Sequence, residues 1–247
     1  MLMLISNNEY QHSVFFSSCN RLVGSWYSFY SEVTDYFSLT ETNSTLAKEN
    51  AYLRNKLASY DDVSSKANFE DFDDAFWHYI PARVINITLR NQKNFLTLNK
   101  GMSDGVEKDM GVVCSDGVVG VVNNVSNHFC TIIPIINVQS SVSCRFKKND
   151  YLGTFQWDGI NPYYGQLEDI ARHMDVKIGD TLVTSGLSAI YKEGELVGTV
   201  KDVSLTENDA YYNIKVALSV DFSRLKYVYI VGHKYTEELK QIQEALK

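Results

Sequence analysis

Two hydrophobic periods divide the chain. From Leu22 to Tyr60 a seam recurs at alternating steps of three and four: Leu22, Trp26, Phe29, Val33, Tyr36, then Leu39, Asn43, Leu46, Asn50, Leu53, Leu57 and Tyr60. That spacing predicts a proline-free helix about 58 Å long at 1.5 Å per residue. Two three-residue steps meet at Tyr36, a stammer in the heptad pattern. In the second register Leu39, Leu46 and Leu53 take the d positions, and Asn43, Asn50 and Leu57 take a. Leu at d with Asn at a favours two parallel strands, because paired amides satisfy each other across the seam. Glu49 at g then faces Arg54 at the partner's e position, and Lys56 faces Asp61. The expected dimer interface is therefore Leu39, Asn43, Leu46, Glu49, Asn50, Leu53, Arg54 and Leu57. An amphipathic helix folded back on its own domain is the plain alternative.

From Pro81 onward the period becomes two. Asn213 to Val220 alternates polar and apolar residues, as a strand with one buried face does. Shorter strands are expected at Arg83 to Leu89, Val112 to Cys114, Val118 to Val122, Thr131 to Ile136, Thr181 to Val183 and Tyr227 to Val231. Twelve of the 14 glycines fall between Gly101 and Gly198, among turn signals such as Asp116-Gly117, so barrels or sandwiches are expected rather than a parallel α/β sheet. The region also echoes itself. Val119-Gly120-Val121-Val122-Asn123-Asn124-Val125 returns as Val197-Gly198-Thr199-Val200-Lys201-Asp202-Val203, with Lys108 to Gly117 and Lys177 to Gly186 upstream. Two small barrels in tandem explain this economically. Glycine inside the echoed strand marks a barrel corner or a place where another backbone comes close.

Charge adds a boundary. Asp61, Asp62, Glu70, Asp71, Asp73 and Asp74 against Lys66 leave −5 of the chain's net −7 in one stretch, read as a solvated hinge. With 23 basic and 30 acidic residues in 247, there is no footprint for nucleic acid and no polybasic membrane patch. No apolar run approaches the roughly 20 residues of a spanning helix. Met1 to Ile5 is too short to span and lacks the charged start of a signal peptide; it is read as a juxtamembrane stump.

The chemistry expected is sparse. Cys19, Cys114, Cys130 and Cys144 form no Cys-x-x-Cys, and no His stands at ligand spacing from them, so they are read as small apolar residues, with a disulfide as the alternative. No metal or cofactor is expected. A pair of β-barrels raises the question of a chymotrypsin-like protease, for which Ser185 in Val183-Thr184-Ser185-Gly186 is the one suggestive serine. Val183 stands where the nucleophile motif has its first Gly, and neither His78 nor His128 lies in a recognisable catalytic setting.

Lys100-Gly101-Met102-Ser103-Asp104-Gly105-Val106-Glu107-Lys108-Asp109-Met110-Gly111-Val112-Val113, Gly117 to Val122, Gly179-Asp180-Thr181-Leu182-Val183-Thr184-Ser185-Gly186-Leu187 and Gly194 to Val200 together resemble the MreC family of bacterial rod-shape-determining proteins. The resemblance runs from about Asn7 to Val231, with every motif in the family's order. It implies a mainly β fold with an N-terminal α-helical coiled coil and two tandem barrels, similar to chymotrypsin-like barrels without the catalytic residues. It marks Gly101, Gly105, Gly111, Gly117, Gly120, Gly179, Gly186, Gly194 and Gly198 as structural glycines. It further implies a non-enzymatic scaffold of peptidoglycan elongation, on the outer face of the cytoplasmic membrane. The partners implied are itself, as parallel dimers extending to filaments, MreD, and the class B penicillin-binding protein and glycosyltransferase of lateral wall synthesis. The family's single membrane helix is expected outside this sequence.

The expected organisation is a stump (1–21), coiled coil (22–60), acidic hinge (61–80), first barrel (81–152), second barrel (153–232) and tail (233–247). A periplasmic adaptor of an efflux or secretion system is the rival reading. Such adaptors insert a helical hairpin within β-sequence, whereas here a single helical pass comes first.

Overall fold

The computed structural model describes residues 41–57, 77–188, 190–205 and 211–234. Leu39, Cys19, the stammer, most of the acidic hinge and most of the expected tail lie outside them. The chain divides into two compact units, Met1–Glu49 and Asn50–Lys247. Residues 41–57 are helical and are called α1.

Twelve strands follow: β1 (Trp77–Ile87), β2 (Leu96–Leu98), β3 (Gly111–Val113), β4 (Val118–Val125), β5 (Cys130–Pro134), β6 (Ser141–Phe146), β7 (Leu152–Gln156), β8 (Tyr164–Glu168), β9 (Thr181–Thr184), β10 (Leu196–Ser204), β11 (Asn213–Leu218) and β12 (Tyr227–His233). They close into two six-stranded barrels, in the order β1-β12-β3-β4-β5-β2 and β10-β11-β8-β7-β6-β9. Every pairing is antiparallel. Period-two burial fills both interiors: Leu96, Leu98, Val122, Ile132 and Ile230 in the first barrel, and Phe146, Phe155, Leu167, Leu182 and Ile214 in the second.

The fold class matches the expectation, but the barrel limits do not. The second barrel begins at Ser141 rather than 153, and Tyr227–His233 closes the first barrel rather than the second. Barrel 2 is thus inserted between the fifth and sixth strands of barrel 1. Strand β1 also starts at Trp77, inside the expected hinge, and runs through Pro81. Proline is tolerated there because this half of β1 pairs only with β12; β2 joins from Val84.

The sequence echo is a structural repeat. Val122 accepts from the Asp109 amide at 2.9 Å, and Val200 from the Gly179 amide at 2.8 Å. Val122 in turn donates to Met110, and Val200 to Asp180, both at 2.9 Å. Gly120 and Gly198 sit on β4 and β10, each opposite a strand carbonyl that leaves no room for a side chain: a Cβ would lie 2.2 Å from the Ile133 oxygen or 2.3 Å from that of Ala217. A register shift follows each, between Val122 and Asn124 and between Val200 and Asp202.

Candidate interaction surface

The two copies of the repeat differ at one turn, and that difference joins the barrels. In the first, the Cys114 amide donates to the Gly117 carbonyl across Ser115 and Asp116. At the matched place in the second, the Thr184 amide donates to the Glu195 carbonyl across a loop of ten residues, 185–194. The longer loop reaches barrel 1. The Tyr191 hydroxyl donates to the Gly120 carbonyl at 2.8 Å, fully buried. Gly111 and Gly117 provide the matching hollow, since a Cβ would lie 2.2 Å from the Ile190 oxygen or 2.1 Å from that of Leu196. Three of the motif glycines therefore serve the contact between barrels. Of the rest, Gly101 packs on Ser126 and Asn127, while Gly105, Gly179, Gly186 and Gly194 occupy turns of positive φ.

The C-terminal half of α1 is seated on the same junction. Ala51 is buried in the core cluster. The Asn55 side-chain amide pairs with the backbone of β1 as a strand would: its Oδ1 accepts from the Tyr79 N–H at 2.7 Å and its Nδ2 donates to the Tyr79 carbonyl at 3.4 Å. Arg54 lies 3.4 Å from Glu195, donates to the Cys114 carbonyl at 3.4 Å, and stacks over the rings of Tyr79 and Tyr229 at 5.6 and 5.1 Å. Arg54 was expected opposite Glu49 of a second copy; its guanidinium is instead bound within its own chain. Heptad spacing alone leaves that side of the helix free, because the aromatic pair and Glu195, far away in sequence, give no local signal.

Burial dominates the electrostatics of this cluster. It pushes Glu195 above the usual carboxylate range, although Arg54, Lys192 and the Tyr79 hydroxyl all favour the charged form. Tyr79 is pushed up to about 12, first by burial and then by the neighbouring Glu195. Tyr229 is raised by burial and holds a side-chain hydrogen bond with Asn50.

The remaining expected seam residues are exposed, although Asn50 already reaches the Tyr229 hydroxyl of its own chain. Leu46, Leu53 and Leu57 are 48%, 55% and 61% exposed, and Asn43, Glu49 and Asn50 are exposed as well. A groove of about 410 Å³ beside the β3–β4 turn is lined by two acids, Asp116 and Asp221, and two bases, Arg224 and Lys226, and so selects no sign of charge.

Ser185 lies buried, its hydroxyl 2.9 Å from that of Ser143 and accepting from the Leu187 amide at 3.3 Å. Among the described residues, its hydroxyl's hydrogen-bond partners are thus a second hydroxyl and a backbone amide. Cys114, Cys130 and Cys144 are buried free thiols. Among the described residues, no group of three or more His, Cys, Asp or Glu gathers as a metal site.

Residues 84–232 match the family model of the rod shape-determining protein MreC, barrel core. The cell shape-determining protein MreC of Haemophilus influenzae is 27% identical over 154 residues, 61% of this chain and 42% of that protein. The chain thus spans less than half the length of that relative. MreC from Listeria monocytogenes superposes with a TM-score of 0.61 at 23% identity, over 79% of this chain and 94% of that one. An MreC from Helicobacter pylori, solved in complex with penicillin-binding protein PBP2, superposes with a TM-score of 0.51 at 18% identity, over 64% of this chain and 99% of the other. At these identities the solved structures show a common fold.

Proposed function

The chain belongs to the MreC family of rod shape-determining proteins, and we propose that it is a non-enzymatic scaffold of bacterial wall elongation that associates with itself through α1. The carrying observation is that Leu53 and Leu57 are exposed on a helical segment whose other side, at Ala51, Arg54 and Asn55, is engaged by the barrels, and that Leu46, one heptad before Leu53, is exposed too. Apolar residues at heptad spacing left in water are what a second helix would cover. Parallel pairing follows from the Asn at a positions, and from protomers anchored in one membrane having to point the same way. With Arg54 withdrawn, the seam rests on the leucines and Asn43, with Asn50 shared between the seam and the Tyr229 hydroxyl, and a Glu49–Arg54 bridge is no part of it.

A class B penicillin-binding protein is the first external partner we assign, supported by the Helicobacter pylori complex; MreD and the wall glycosyltransferase follow from the family resemblance. The working place is the outer face of the cytoplasmic membrane.

Sedimentation tests the association. The Leu46→Asp/Leu53→Asp double variant should run as a monomer with its barrels folded, whereas the wild type should dimerise with a dissociation constant in the low micromolar range or above, about three heptads being marginal alone. Replacing Asn50 with Ile should tighten association and admit trimers. The same species for wild type and double variant would remove α1 as the seam. Ser185→Ala should support rod shape as the wild type does; loss of shape with unchanged stability and partner binding would bring a catalytic reading back.

A further inference from the structure

We propose that Arg54 is the keystone of a latch that ties α1 to both barrels at once, so that undocking the helix and loosening barrel 2 from barrel 1 are one event. The contacts of this side chain come from separate parts of the fold. Tyr79 on β1, Tyr229 on β12 and the Cys114 carbonyl after β3 belong to barrel 1. Glu195, immediately before β10, belongs to barrel 2. Its backbone closes the same loop whose Tyr191 hydroxyl and Ile190 carbonyl press on Gly120 and Gly111. One guanidinium thus spans the seam between the barrels beside the loop that makes their contact. A planar fork with several donors and an aromatic-stacking face can serve such a mixed set; an ammonium cannot.

The latch also sets a direction. Arg54 and Asn55 face the barrels while Leu53 and Leu57 face water. A docked helix therefore presents its leucines at one fixed rotation relative to both barrels. That consequence depends on the self-association proposed above; the latch itself does not.

Hydrogen exchange on the full chain reads it, following amides in 50–57, in 190–197 and, as reference, in β8 and β11. Arg54→Met keeps an apolar stem but removes the charge and donors, and should speed exchange in 50–57 about tenfold or more. Glu195→Gln, 141 residues away in sequence, should speed the same helical amides. Both variants should also speed 190–197 and leave the reference strands unchanged. Arg54→Lys should fall between, and the double variant should be no worse than the more severe single one, because both act on one coupled set. Helical amides at the wild-type rate in Glu195→Gln would overturn the proposal, as would additive effects in the double variant. Should Arg54→Met fail to fold, Arg54→Lys and Glu195→Gln decide it by the same readout. Sedimentation of the same samples reports self-association separately, so a failed latch and a failed seam are distinguishable.

Discussion

Glu195 is under two opposed influences: burial favours the neutral acid, Arg54, Lys192 and the Tyr79 hydroxyl favour the carboxylate, and burial prevails. The consequence for stability has a definite sign. With the folded value above the ordinary one, the folded state binds more protons than the unfolded chain just above that ordinary value. The group's favourable contribution is then complete at low pH and is lost as pH rises through the folded value. Removing Arg54 takes away the strongest opposing charge and raises Glu195 further. The melting temperature of Arg54→Met should therefore fall more steeply than that of the wild type as pH rises above the ordinary carboxylate range, and that of Glu195→Gln should be flatter than both. Parallel profiles for all three would contradict this ordering. Burial acts on the thiols in the same direction: Cys130 is pushed up to about 11 and Cys144 to about 12, and Cys114 is raised as well. In a Cys19→Ser background, a thiol reagent at about pH 8 should label these three only as the protein unfolds, and promptly in denaturant. Rapid labelling of any of them in the native protein would show an opening that the packed barrels do not provide.

At the level of elements, the repeat separates glycines needed for space from those needed for conformation. Gly198→Ala places a methyl against the Ala217 carbonyl of a paired strand, and Gly120→Ala does the same against Ile133. Each should cost about 3 kcal/mol in chemical denaturation, the upper range of overpacking. Gly179 has open space around it but a φ of 92°, and its counterpart in barrel 1 is Asp109 at a φ of 69°. Gly179→Asn should accordingly cost less than about 1 kcal/mol, since a short polar side chain tolerates the left-handed region. Equal losses at Gly179 and Gly198 would mean that the repeat is not equivalent in its backbone. Tyr191→Phe should cost about 1 kcal/mol, through the loss of a buried hydrogen bond to the Gly120 carbonyl. Much of this was legible in the sequence. The echoed Val-Gly segments announced equivalent strands, and the glycine within each announced close backbone approach. Strands β7 and β8 were not legible, because Leu-Gly-Thr-Phe-Gln and Tyr-Gly-Gln-Leu-Glu carry only two apolar positions each beside a glycine. The Arg54 cluster was invisible for another reason: its members are brought together only by barrel closure. One local sign did exist, the longer loop in the second copy of the repeat, which holds Tyr191 and ends at Glu195.

In the whole molecule, the order of strands around each barrel decides which strand closes it. Barrel 2 runs β6 to β11 without interruption, whereas barrel 1 takes β1 to β5 from one side of that insertion and β12 from the other. Matching the repeat strand for strand, β7 to β11 correspond to β1 to β5, and β6 takes the place of β12. The two barrels have one cyclic wiring cut at different points, so the first strand of barrel 2 does in space what the last strand of the chain does for barrel 1. Ending the chain after Lys226 tests this directly. It removes a strand whose Val228, Ile230 and Val231 are fully buried, and which pairs with β1 from Trp77 to Arg83 and with β3 from Gly111 to Val113. Barrel 1 should open, with β1 and β3 left as free edges prone to aggregation. Barrel 2 keeps all six strands, although it stands nearer the cut in sequence. Hydrogen exchange on the truncated chain should show protection lost in β1 to β5 and kept in β6 to β11. Division of the chain at 152/153 makes the reverse forecast, because Tyr227 to Val231 would then close the second barrel. Protection lost in β9 to β11 with β1 to β5 intact would restore that division and refute the insertion.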